Sequence, residues 1–568
     1  MSRTFPFFML TFAFFAAMVS FPPPAPAQPK QSPDDEFRPL LEAYLNKYKP
    51  LYIESATAWW EANTTGSDAA FKRKEAAETA LVELHADKAV FAQLKALKEG
   101  PALGDPVLQR QLDVMYRAHL PGQADPELQK KIVALETQVE KLFNTHRSLV
   151  GVKNLTENDV RKILSDSHES KEAEEAWKGY MAVGEKIEGP LKDLVKMRNE
   201  LARKLGFRNF YAMRLALQEI DEAQLLKLFD ELDELTRRPY AIEKMAIDVA
   251  MAKRFKIKQE DLRPWHFGDL FFQAVPEMPG GVNLDDLYAK VDLLDMTRRY
   301  YAGMGLEADD ILQRSDLYEK PGKSPHAFST SLDRDQDVRV LCNLKPNLYW
   351  ADTLVHELGH AVYDKYVAKD VPFLLHEASH SITTEGYAMM MGAMVKNEDF
   401  FRSVLKLSPE DAAAAATTAK RSLRREKLIF ARWAQVMMRF EHGMYNDPDQ
   451  DLGKLWWSLK AKYQMLRPPE KVSRPDYAAK IHIVTAPVYY HSYMMGDLFG
   501  CQVHHHIATK VLGLDDPAKT CFAGRKEVGD YLKKNVFGPG NLYSWNDLTR
   551  HATGEPLTAK YFAAQFVK

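Results

Sequence analysis

The chain has 568 residues, 46% of them hydrophobic, with 76 Lys and Arg against 78 Asp and Glu. That length and apolar share support a sizeable core, built as one large domain or as several of ordinary size. Charge so nearly balanced excludes the basic surface of a nucleic-acid binder or a polybasic membrane binder, and leaves a peptide or other small substrate open.

The N-terminus carries Arg3, then the apolar run FPFFMLTFAFFAAMVSF over 5–21, then the small-x-small sequence Ala25, Pro26, Ala27. This order predicts a signal segment over 1–27, a cut near Ala27 and a mature chain starting at Gln28. The run is short for a membrane span and no basic stop follows it. No later stretch is apolar enough to cross a bilayer, so the expectation is an exported protein, periplasmic or secreted, without stable membrane insertion. Three cysteines, Cys342, Cys501 and Cys521, are too few for a disulfide framework. An oxidising compartment leaves two alternatives, a Cys501–Cys521 bridge or three thiols.

From 33 to about 260 the pattern reads as helix after helix. KKIVALETQVEKLF (130–143) sets Ile132, Leu135, Val139 and Leu142 on one stripe, and EAQLLKLFDELDEL (222–235) repeats the pattern. Strand signals are few. DVRVLCNL (337–344) alternates Val338, Val340 and Cys342 with Arg339 and Leu341. The breaks at GPALGDP, EMPGGVN and YEKPGKSP are loop-sized. The expected fold is mainly α: one large two-lobed helical body around a deep cleft, with a small β element, and a single domain over 28–568.

VHELGH (355–360) carries the chemistry. His356 and His360, four apart, share one face of a helix. Two imidazoles so placed bind one Zn²⁺, with Glu357 beside them as general base. Val355, Leu358, Ala361 and Val362 make the surroundings apolar, which a solvated charge strip would not be. A catalytic zinc needs a third protein ligand and an open position. HEASHSITTEGYAMMMGAMV (376–395) offers His376, Glu377, His380 and Glu385, and spacing alone does not choose between Glu377 and Glu385.

Matching segments extend well beyond this helix. GDLFFQ (268–273), PHAFS (325–329), HELGH, HEASHSITTE, WWSLKAKYQMLRPP (456–469), DYAAKIHI (476–483) and QVH (502–504) follow one another as in the angiotensin-converting-enzyme family of zinc peptidases, the M2 peptidyl-dipeptidases. The chain resembles that family most specifically from about 265 to 510. Parts of its N-terminal half look equally like the thimet oligopeptidase and oligoendopeptidase group (M3).

The resemblance implies His356, His360 and Glu385 as ligands of one zinc ion, with Glu357, His482 and Tyr493 catalytic. It implies a substrate-lining edge strand at His326 and Ala327. It also implies a clamp on the substrate's C-terminal carboxylate, made by Lys480, Gln273 and a tyrosine. YYHSY holds one residue more than the family pattern between His482 and Gln502, so counting from Gln502 picks Tyr490 and counting from His482 picks Tyr489. Two departures stand out. Lys460 replaces an arginine that helps hold chloride in some members, and His491 and Ser492 precede Tyr493 where another arginine is expected, so chloride activation is doubtful. Met389 replaces an aspartate that supports the metal ligands, so their orientation must come from elsewhere.

The expected activity is release of C-terminal dipeptides from oligopeptides. The alternatives are an oligoendopeptidase or metallocarboxypeptidase with a different end-clamp, and a non-catalytic peptide-binding protein. Oligomeric state is open.

Overall fold

Each long apolar stripe forms a helix with a sequence-encoded start. Asp125 caps Pro126–Asn144, which buries Leu128, Ile132 and Val139 and leaves Leu135 and Leu142 half-buried. Asp221 caps Glu222–Phe255 by accepting from the Gln224 amide, and Ser408 caps the 38-residue helix Pro409–Asn446. These side chains satisfy amides that the first turn leaves without partners. The structure, a computed structural model, describes residues 32–278, 280, 282–470 and 472–567. The expected signal segment lies outside them. Helices dominate, with two small antiparallel hairpins, Ser148–Val150 with Lys153–Leu155 and Phe328–Ser331 with Val338–Leu341. One hydrophobic core takes in residues from Ala124 to Phe566. No described helix is long and apolar enough to cross a membrane.

The second hairpin departs from simple alternation. Val338, Val340 and Cys342 are buried as the pattern predicts, but Leu341 is buried too. The N-terminal helix Pro33–Thr65 covers that face: Leu341 packs with Trp60, and Phe328 lies 4.2 Å, ring to ring, from Trp59. Tyr52 donates to the Ser331 carbonyl at 3.1 Å. The three cysteines are free, buried thiols, so the Cys501–Cys521 bridge is not formed.

Three helices stack at the centre: Leu348–Lys365, which carries HELGH; Ser381–Ala393, which carries Glu385; and Tyr490–His506. Glycine sets their spacing. A Cβ at Gly386 would fall within 3.0 Å of the Gly496 carbonyl, and one at Gly500 within 3.0 Å of the Gly386 carbonyl. A Cβ at Gly359 would stand 3.1 Å from the Ala388 Cα. Backbone meets backbone at these crossings, so no side chain can yield.

Gly500→Ala therefore overpacks the layer and is expected to destabilise the protein by roughly 1–3 kcal/mol, read as a lower urea midpoint. Gly189→Ala, in an exposed helical position with open space around it, is expected to leave the midpoint unchanged or raise it. Equal midpoints for Gly500→Ala and the parent chain would refute this account of the crossing.

Candidate metal centre

Asn347 starts the HELGH helix by accepting from the Trp350 amide. Leu354, Val355, Leu358, Ala361 and Val362 are fully buried, and the half-buried His356 and His360 share another face of the helix. On that face His356 Nε2 and His360 Nε2 lie 3.2 Å apart. Glu385 Oε2 arrives from the neighbouring helix at 3.6 Å from His356 Nε2 and 3.7 Å from His360 Nε2. A tetrahedral ion with bonds of about 2.0–2.1 Å needs ligand atoms about 3.3 Å apart. The two nitrogens and one oxygen meet that requirement within a few tenths of an ångström, and they are the one group of three or more such donors among the described residues.

The other candidates for third ligand are engaged elsewhere. Glu377 Oε2 accepts from Arg334 Nη2 at 2.5 Å, His376 Nε2 faces the Val367 carbonyl at 3.3 Å, and His380 Nδ1 caps the Ile382 amide at 3.0 Å. Met389 offers the ligands no hydrogen bond. Thr384 supplies one instead: its Oγ1 lies 2.6 Å from His360 Nδ1. A proton on Nδ1, donated to Thr384, leaves the Nε2 lone pair free for a metal.

Electrostatics act differently on each donor: against burial, Glu385 and then Glu357 hold the His360 pKa up. Burial, and then the nearby His360, lower the His356 pKa to about 4, so this imidazole is neutral at neutral pH. Burial opposes charge on Glu385, but the nearby His360, and then His356, outweigh it and hold its carboxyl low. Glu357, 9% exposed, differs. Burial drives its pKa to about 7, with His360 and a Ser329 backbone amide pulling down and Glu385 pushing up. A carboxyl so poised can take or give a proton near neutral pH.

A second polar cluster sits along the wall. Lys480 Nζ donates to Gln273 Oε1 at 2.9 Å, and the Tyr490 hydroxyl lies 3.4 Å from the same oxygen while accepting from Trp433 Nε1 at 2.7 Å. The structure thus groups Tyr490, not Tyr489, with Lys480 and Gln273. Tyr489 instead hydrogen-bonds Ser381, on the Glu385 helix. Lys480 is buried against the rings of Phe271, Trp433 and Tyr490, and burial lowers its pKa to about 8.

Tyrosines connect the two clusters. The Tyr493 ring lies 5.4 Å from Tyr490 and 5.2 Å from Tyr489. Burial, then Tyr489 and Glu385, raise its pKa, so the phenol keeps its proton. The His482 ring lies 5.6 Å from Tyr490; burial and Lys480 lower its pKa to about 4, and its buried Nδ1 has no hydrogen-bond partner. Ala327 is half-buried and His326 exposed just before the strand Phe328–Ser331. Thr384, the Ser329 amide and Trp433 were not singled out from sequence. A threonine, a backbone amide and a core tryptophan carry no spacing signal.

The sequence profile of the M2 peptidase family, described as angiotensin-converting enzyme, matches residues 32–259 and 284–566. Similar curated proteins include the angiotensin-converting enzyme of Sus scrofa, 22% identical over 559 residues that cover 92% of this chain and 42% of that protein. That of Bos taurus is 21% identical over the same coverage, and that of Mus musculus is 22% identical over 79% of this chain and 36% of its own length. The chain spans less than half the length of these relatives. With the profile matched along nearly all of its described residues, the chain belongs to the M2 peptidase family of angiotensin-converting enzyme.

Proposed function

We propose that the protein is an exported zinc peptidyl-dipeptidase that releases C-terminal dipeptides from oligopeptides. The observation that carries the reading is the pairing of two sites: a His-His-Glu donor set, and a buried lysine with an amide and a phenol around it, with Tyr493 against Tyr490 and within electrostatic reach of Glu385. A cation and polar groups converging on one point suit a carboxylate through charge-assisted hydrogen bonds. Such a clamp measures a fixed length of peptide from the cleavage point. The apolar run over 5–21 supports export.

His356, His360 and Glu385 would hold the zinc, with Thr384 fixing the His360 ring. The chemistry such an ion supplies is a water of pKa about 7 and a polarised scissile carbonyl. Glu357 takes the proton of the attacking water and returns it to the leaving amine. Tyr493 and the neutral His482 donate to the carbonyl oxygen as negative charge develops on it, where one such donor is worth about 3 kcal/mol. Lys480, Gln273 and Tyr490 hold the terminal carboxylate, and the strand following His326 and Ala327 lines the substrate backbone.

Four outcomes test this. Glu357→Gln should retain one zinc per chain and lose activity by roughly 10²–10⁴-fold; normal turnover would remove Glu357 from the mechanism. Thr384→Val should weaken zinc binding roughly 10–100-fold in a chelator competition, and unchanged affinity would show that Thr384 does not orient the ligand. Mass spectrometry should find dipeptides from a free-ended peptide, and C-amidation should cut kcat/KM roughly 10–100-fold. The cationic form of Lys480 binds the carboxylate, so kcat/KM for the free-ended peptide should fall as pH rises through about 8, with no such limb for the amide. Equal rates on both peptides would exclude the clamp.

A further inference from the structure

Lys460 is buried to 2% exposure among Trp433, Trp456 and Trp457, outside every role described above. It opens a π-helical turn, Lys460–Gln464, of the kind that often marks functional positions. Its Nζ donates to the Phe271 carbonyl at 2.9 Å and to Gln464 Oε1 at 2.7 Å. Gln464, fully buried, uses its Nε2 to donate to the same Phe271 carbonyl at 3.2 Å and to the Phe272 carbonyl at 2.7 Å.

Those two carbonyls belong to the segment that delivers Gln273. Phe272 has φ of 53°, a left-handed conformation that a bulky residue adopts only when its surroundings impose it. Asp269 Oδ1 holds the amide side of this turn, accepting from Phe271 N at 2.9 Å and Gln273 N at 3.0 Å. Lys460 and Gln464 hold the carbonyl side. The strained residue is thus pinned from both edges, and the next residue places its Oε1 2.9 Å from Lys480 Nζ. Lys460 and Lys480 also share one wall, with Nζ atoms 5.0 and 5.4 Å from the Trp433 ring centroid, and Trp433 in turn bonds Tyr490.

We propose that Lys460, acting with Gln464, is a positioning residue of the carboxylate clamp: it holds the turn at Phe271–Phe272 in the one conformation that sets Gln273 against Lys480. It touches neither substrate nor zinc. The inference rests on the clamp reading of Gln273, Lys480 and Tyr490.

The test measures kcat and KM on a free-ended peptide and its C-amide for the parent chain, Lys460→Met and Gln464→Glu. Gln464→Glu keeps the acceptor for Lys460 and removes the donors to Phe271 and Phe272. Both variants should raise KM for the free-ended peptide about tenfold or more with kcat within about twofold, and leave the amide within about twofold. A parent chain that does not distinguish the two peptides overturns the clamp itself. A parent chain that does, with variants that keep the same discrimination or lose activity equally on both peptides, overturns the positioning role alone. Should Lys460→Met not accumulate as folded protein, Gln464→Glu, nearly isosteric with the parent residue, decides the point by the same criteria.

Discussion

The site depends on how closely three helices approach. The HELGH helix, the Glu385 helix and the helix beginning at Tyr490 cross where glycines leave no side chain between backbones. That spacing brings one oxygen of Glu385 to 3.6–3.7 Å from two imidazole nitrogens that would otherwise be a bare pair on one helix face. The same spacing sets Tyr493 beside Glu385. A layer separated by ordinary side chains would hold the helices at the usual 8–10 Å or more and spread the donors beyond the reach of one ion.

Burial is the second organising force, and it acts on charge differently at each position. Glu357 and Glu385 are both carboxyls near the same imidazoles, yet one is pushed up to about 7 and the other held low. The difference is the surroundings: Glu385 lies 3.6–3.7 Å from both imidazole nitrogens, whereas burial dominates at Glu357, which has a single Ser329 amide to offset it. Environments that push two carboxyls apart suit them to different tasks. Lys480 shows the complementary case: burial lowers its pKa, and Asp269 and Glu157 hold it up, so that it comes to about 8.

A polar scaffold underlies the Lys480 cluster. Aromatic rings there do two jobs, excluding water and offering their faces to ammonium groups, as Trp433 does for both Lys460 and Lys480. In a wall so apolar an unpartnered polar atom is costly. The bonds among Asp269, Phe271, Phe272, Lys460 and Gln464 interlock, so that the side chains of Asp269, Lys460 and Gln464 each have a partner.

The sequence by itself determined what is local. Helix stripes, their caps and the i, i+4 pairing of His356 with His360 follow from periodicity and residue chemistry, and so does the strand at 338–341, because such signals lie within one or two turns of chain. Family resemblance singled out Glu385 and grouped Lys480 and Gln273 with a tyrosine. Only the tertiary structure separated Tyr490 from Tyr489, since the extra residue in YYHSY leaves two registers that differ by about 100° around the helix. It alone exposed Thr384 as the partner of His360, the free state of Cys501 and Cys521, and the bonds from Lys460 to a turn almost 190 residues earlier. Contacts between distant segments depend on how whole helices pack, and no spacing along the chain encodes that.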